Sequence, residues 1–425
     1  MEQQSEVSRG ASAWRGGVTV AVLLTVAGMM AACATGKGPS EDWPWWRGPT
    51  LDGKNLDADP PLAWTETENI IWRTPVPGRG HSTPSIRGDR IFLQTADEEK
   101  KIQYVNCYLR DTGEELWSAA VHEGAFMPAN GSNSQASSTP ACDMKRVYAA
   151  FPNGDAIRLT ALDHDGNIVW QEVEGLFKCG QGYGASPTLY KSFVIVAGDN
   201  DGESFLKAFH RETGEQAWKV KRPTVGSYVS PVVGTVAGRD QLLMSSATEV
   251  ISYDPLTGEK LWFSKGPALV MAATLVFSGD LVVATGGFPQ KELFCLRADG
   301  TGDVGSSNLI WQTNRRISYV PSPVIHDGKL YAVNDKGIVS GWTLETGEEL
   351  WMNRLEGNFT ASPTYAGGRF YIPNLAGVTF VFRVEPEFEI LARNDLGDGG
   401  NASPVICGDR IYLRTNRYLY CIGKS

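Results

Sequence analysis

Three observations predict an all-β fold for this chain: an eight-bladed β-propeller of four-stranded antiparallel blades. A Gly-to-Trp hairpin recurs along the sequence, and a Ser/Thr-Pro strand opener precedes each copy. The last copy lacks a strand that the front of the chain supplies. Composition agrees, since 47 glycines and 23 prolines in 425 residues call for many turns. Short alternating runs bounded by Gly, Asp and Asn read as strands rather than helices.

The hairpin is spelled DTGEELW at 111–117 and ETGEELW at 345–351, and it returns as RETGEQAW, PLTGEKLW and, more loosely, DHDGNIVW. In these five copies the Gly stands four residues before the Trp: Gly113 and Trp117, Gly166 and Trp170, Gly214 and Trp218, Gly258 and Trp262, Gly347 and Trp351. A stretched sixth copy ends at Trp311. Gly supplies the positive φ that a short hairpin loop needs. A bulky aromatic at a fixed place on the returning strand fills the gap between neighbouring sheets. The glutamates vary between copies, so they read as solvated.

The strand opener fixes the count. Its copies align on Pro84, Pro140, Pro187, Pro231, Thr274 (where Pro is expected), Pro323, Pro363 and Pro404. Eight units of roughly 40–50 residues, each long enough for four strands, specify a propeller over an open solenoid. The ends decide the closure. The eighth copy stops after three strands, while NIIWRTPV at 69–76 is a Trp strand without partners. Joining Trp72 to the C-terminal blade closes the ring and removes its open edges. The seventh copy has no Trp, and Leu391 is expected near its place. Trp72, Trp117, Trp170, Trp218, Trp262, Trp311 and Trp351 are therefore read as structural blade tryptophans.

Ahead of the ring, two arginines precede an apolar stretch at 18–32 and then Cys33. About fifteen apolar residues fall short of the ~20 of a membrane helix and fit an export signal. Met30-Ala31-Ala32-Cys33 resembles a bacterial lipobox, which makes Cys33 the expected lipidation site. The expected organisation is a lipoprotein-type signal peptide at 1–32, a linker at 33–42, a Trp/Pro-rich leader packing on the propeller at 43–68, and the propeller at 69–425. The other six cysteines are dispersed and form no CxxC or CxxCH. Their even number permits pairing, but their strand-like positions favour buried thiols.

Net charge is −9, with no Lys/Arg-rich run. That argues against nucleic acid as a partner, because phosphate binding needs clustered positive charge. The five histidines are scattered without ligand spacing. His164, His210 and His326 fall at hairpin turns and are expected in solvent. GDNDGES at 198–204 is faintly calcium-loop-like but lacks the closing glutamate, and it is expected to be a solvated turn. No metal site and no catalytic residue are expected.

Eight copies of a Ser-Pro strand, a Gly-Asp turn and a Thr-Gly-x-x-x-Trp hairpin resemble the pyrroloquinoline-quinone-type propeller repeat over about residues 69–425. Two groups share that repeat: quinoprotein dehydrogenases, and outer-membrane β-barrel assembly lipoproteins, which are scaffolds. In size, anchoring and blade number the chain is most similar to the second group. The resemblance implies a non-catalytic propeller at the periplasmic face of the outer membrane, held by a lipid anchor. It would be a monomer within a complex of protein partners, and without cofactor. The alternative is a quinone-dependent dehydrogenase carrying pyrroloquinoline quinone and calcium, or a propeller binding a sugar or other small molecule. The quinone enzymes of the family sandwich their cofactor with a disulfide between adjacent cysteines, and this chain has no Cys-Cys pair.

In a propeller the first strand of each blade lines the axis, so residues just before each Ser/Thr-Pro rim the central channel. The candidate channel residues are His81, Asn130, Tyr183, Tyr228, Tyr319, Phe359 and Asn401. Such a mouth suits a sugar, a peptide or a polar small molecule, but the aromatic residues are expected to plug the funnel rather than form a pocket. The leader tryptophans, Trp43-Pro-Trp-Trp46, are expected to form a strap on the rim.

Overall fold

The computed structural model describes residues 41–305 and 307–424, among which no α-helix occurs. Blade 1 consists of Ser85–Arg87, Arg90–Asp97, Ile102–Leu109 and Glu115–Glu123, hydrogen-bonded in that order. Six further four-stranded antiparallel blades follow within 141–176, 188–221, 232–265, 276–313, 324–354 and 364–395. Blade 8 takes three strands from 405–422, and Ile70–Pro75 completes it, with Trp72 opposite Cys421. The first strand of the ring thus belongs to its last blade. Two short parallel additions widen the blades: Lys54–Asn55 beside Tyr365–Ala366, and Gly302–Asp303 beside Trp262–Phe263.

Side chains from neighbouring blades meet in eight apolar clusters among the described residues, one at each interface. The cluster holding Trp72, Ile91, Tyr108, Tyr412 and Cys421 joins blade 8 to blade 1 and closes the circle. The six cysteines of the described residues are buried free thiols, inert space-fillers within these clusters.

The Gly and Trp of one hairpin serve different interfaces. Gly113 lies on Trp72 of the preceding blade, Gly166 on Trp117, Gly214 on Trp170, Gly258 on Trp218 and Gly347 on Trp311. A β-carbon at Gly214 would stand 2.8 Å from the Trp170 ring, and its φ is +77°. Glycine is required there by the backbone angle and by the indole. Each of these five hairpins therefore caps the indole of the blade behind it, and Trp117, Trp170 and Trp218 are capped in turn by the hairpin ahead. The indole N–H groups add a second link, donating to the turn carbonyls of Arg110, His164, Arg211 and Leu344.

A β-bulge precedes the Trp position in every outer strand. The extra residue turns outward, which leaves Ile71, Leu116, Val169, Ile310 and Leu350 exposed beside buried or half-buried indoles. This register corrects blade 7. Ala392 stands opposite Val381 in the Trp slot, and Leu391 is the bulge residue. With neither a large side chain there nor a turn glycine, Phe388 packs on Trp351 at 5.8 Å instead.

Two expectations of solvated turns fail. Asp199, Asn200 and Ser204 of GDNDGES are buried. Asp199 forms a bidentate pair with Arg222 at 2.6 and 2.8 Å, and Arg222 also donates to the Tyr253 hydroxyl. A buried carboxylate needs that compensation. His164, His210 and His326 are half-buried, and each packs against an aromatic ring. His164 and His326 meet Phe92 and Tyr365 of a neighbouring blade, and His210 meets its cross-strand partner Phe193 within blade 3.

Candidate functional site: the central channel

The residue before each Pro carries a hydroxyl for a reason the sequence pattern does not disclose. Its oxygen accepts the backbone N–H of the matching residue in the preceding blade. Thr83 donates to Thr139 (3.1 Å), Thr139 to Ser186 (3.0 Å) and Ser186 to Ser230 (2.9 Å). Thr274 donates to Ser322 (2.9 Å), Ser322 to Ser362 (2.9 Å), Ser362 to Ser403 (2.8 Å), and Ser403 to Thr83 (3.3 Å) across the closure. The result is a belt of eight hydroxyl positions around the channel. Blade 5 is thereby re-registered, since Val276 pairs with Val283 as Val324 pairs with Tyr331. Thr274 occupies the Ser/Thr slot and Leu275 the Pro slot, one residue from the alignment based on Thr274 as the Pro equivalent.

Seven of the eight belt bonds are made. The eighth, from Ser230 to Thr274, is replaced by the leader: the Trp46 indole N–H donates to Thr274 Oγ1 at 2.9 Å. The leader does not stay on the rim but crosses the end of the channel. Trp43 pairs with Ile86 of blade 1 and sits in the interface between blades 8 and 1. Pro44 accepts the N–H of Cys142 in blade 2, and Trp45 packs against the interface between blades 2 and 3. Arg47, buried, donates to the carbonyls of Pro323 and Pro363 in blades 6 and 7. Asn55 donates to Ile406 of blade 8, and Trp64 fills the interface between blades 7 and 8.

Trp46 becomes the floor of a cup with a volume of about 410 Å³. The belt hydroxyls form its wall, and the loops that precede the first strands form its mouth. His81, Asn130, Tyr228, Tyr319 and Asn401 line it, with Ser132, Asn133, Gln181 and Thr360 among their neighbours. Tyr183 and Phe359 do not. Tyr183 is turned into the interface between blades 2 and 3 against Phe177, donating to the Ala197 carbonyl. Phe359 packs on Phe380 between blades 6 and 7. Both stand three residues before their belt Ser, whereas His81, Tyr228 and Asn401 stand two before their belt Thr or Ser. Missed by sequence reasoning were Trp46, whose place depends on a contact 228 residues away, and the belt hydroxyls. The belt had a visible signal in the hydroxyl side chain before every Pro.

The mouth is held in shape by its own bonds. Asn130 donates to Gln181 Oε1 and Asn133 to the Gln181 carbonyl, at 2.8 and 2.9 Å. Asp335 accepts the N–H groups of Tyr319 and Val320, and Thr360 donates to Asn401. Burial, with Arg414 and Arg79 nearby, pulls the His81 imidazole down to about 4, so it is neutral near pH 7. Burial first, and then Asp335, raises the Tyr319 phenol. No Asp, Glu, Lys or Arg lines the cup. Among the described residues no cluster of His, Cys, Asp or Glu is arranged to hold a metal ion. A calcium-bound quinone needs carboxylate ligands, and the amides and hydroxyls of this cup do not fit one.

A closed ring of minimal blades around a neutral cup defines a repeat propeller of the quinone-type class. Within that class, the family model described as outer membrane protein assembly factor BamB matches residues 60–173, 101–302 and 300–382, and the chain belongs to this family. It is similar to the outer membrane protein assembly factor BamB of Bordetella pertussis, 22% identical over 413 residues, with 93% of each chain covered. Among solved structures it resembles BamB from Moraxella catarrhalis (TM-score 0.58, 14% identity, 83% of this chain and 99% of that one). A europium-containing methanol dehydrogenase also superposes (TM-score 0.66, 11% identity, 88% and 89%). At such identities the structural matches speak for the fold alone.

Proposed function

We propose that this protein is a non-catalytic scaffold of outer-membrane protein assembly. On this reading it is held at the periplasmic face of the outer membrane by a lipid on Cys33, a residue outside those described, and binds protein partners there. One observation carries the reading. The family match runs from residue 60 to 382, and the Bordetella relative is covered over 93% of its length, so most of the ring is shared rather than one repeat. The four-stranded blades leave rim surfaces for partners. The dehydrogenase reading is disfavoured by the donor set of the cup, where no carboxylate is available for a metal or as a base.

The test is crosslinking in native membranes followed by affinity purification of this chain. Enrichment of the components that insert β-barrel proteins is the expected result. The reading fails if none is enriched, or if the purified protein with quinone and calcium oxidises alcohols or sugars with turnover.

A further inference from the structure

We propose that the central cup is a binding site for a neutral carbohydrate, one or two pyranose units seated on Trp46. Its volume of about 410 Å³ lies in the ~300–1,000 Å³ range of small-molecule sites.

The chemistry of the wall selects the ligand. Each belt hydroxyl accepts one hydrogen bond, and among the described residues none of them donates its own hydrogen to a protein acceptor. Seven of the eight line the cup, none more than 5% exposed. A ring of unspent O–H donors, each with lone-pair capacity left, calls for a ligand with oxygen atoms distributed around its rim. Above the belt, Asn401 and Asn130 add amide groups that both donate and accept, and Tyr319 presents a phenol. The half-buried Trp46 supplies a flat apolar floor of the kind on which the C–H face of a sugar ring stacks.

Charge excludes the competitors. An ionised ligand in a cup without a charged lining residue would be buried without a counter-charge. A quinone carboxylate, a nucleotide or a phosphosugar is disfavoured on that ground. A peptide would take its main-chain bonds from a strand edge, whereas the wall here is made of side-chain hydroxyls.

The experiment uses the mature protein with four neutral probes: maltose, cellobiose, N,N′-diacetylchitobiose and glucose. Glucose 6-phosphate and a glycine-rich hexapeptide serve as contrasts. Intrinsic tryptophan fluorescence and saturation-transfer NMR read the binding. At least one neutral sugar is expected to saturate at millimolar concentration or below. Asn130→Ala and Tyr319→Ala, both in mouth loops outside the strands, are expected to weaken it by about tenfold or more while leaving the thermal melt unchanged. Trp46→Phe keeps the ring and removes the bond to Thr274, and should retain binding better than Trp46→Ala. The proposal is overturned if no neutral sugar saturates, if the phosphosugar or the peptide binds more tightly, or if both mouth variants bind as the parent does.

Discussion

Gly113 rests on the indole of Trp72, so closely that a β-carbon on it would lie 2.4 Å from the ring. Trp72 belongs to the strand that closes the ring, and Gly113 to the first complete blade. The same pairing repeats at Gly166, Gly214, Gly258 and Gly347, so one contact can be tested for all.

Gly214→Ala is expected to cost about 2–4 kcal/mol, combining the left-handed backbone with a collision against Trp170. Gly154→Ala is the control. Its φ is +66° but nothing lies within 4 Å of the added carbon, so about 1–2 kcal/mol should result. Urea melts of both variants measure the difference. Equal losses would mean the indole contact contributes nothing.

Trp218 is 9% exposed between blades 3 and 4. Trp218→Ala should destabilise by about 3–5 kcal/mol. Leu350→Ala, at an exposed bulge position, should stay within about 0.5 kcal/mol. Chemical denaturation followed by circular dichroism separates the two.

Ser362→Ala removes the acceptor of the buried Ser322 N–H and should cost about 1–3 kcal/mol. Ser362→Thr keeps the oxygen and should recover most of that. A neutral alanine variant would show that the belt is geometry without energetic weight.

Glu174 is fully buried at a bulge, and neither of its carboxylate oxygens has a hydrogen-bond partner. Burial pushes its carboxyl up to about 8, against the opposing influence of Lys207, and the Tyr183 phenol shares the same surroundings. The folded chain keeps this proton where the unfolded chain releases it. Stability should therefore fall as pH rises from about 4.5 to about 8 and then level off. Glu174→Gln should be the more stable protein at pH 8, by an amount on the order of a few kcal/mol, and nearly equal at pH 4. Thermal melts across that range give the answer, and a gap that does not change with pH would refute the assignment.

Cys33→Ala should shift the protein from the membrane fraction to the soluble one on cell fractionation. Retention in the membrane would contradict a lipid on Cys33.

Blade number and closure were legible because repetition within one chain needs no partner to be seen. The Gly-Trp spacing and the missing eighth Trp strand carry both. What stayed hidden depends on contacts distant in sequence. Thr274 could not be placed in the Ser/Thr slot until Ser322 was seen to accept its N–H. Trp43, Trp45, Trp46 and Trp64 read alike as leader tryptophans, yet three go to blade interfaces and one to the channel. Tyr183 stands three residues before its Ser and Tyr228 two, and the first packs against Phe177 between blades while the second lines the channel. The exact register of a loop is set by its neighbours, and strand periodicity carries no information about it.

The closing strand imposes an order of events on the chain. Ile70–Pro75 finds its hydrogen-bonding neighbour only in Tyr418–Ile422, and the belt link at the same seam joins residues 320 apart. During synthesis and export the opening strand must wait, unpaired, until nearly the whole polypeptide has appeared. Such long-range pairing makes folding slow. The Ile-Ile-Trp strand is an adhesive edge throughout that interval, open to mispairing until its partner arrives.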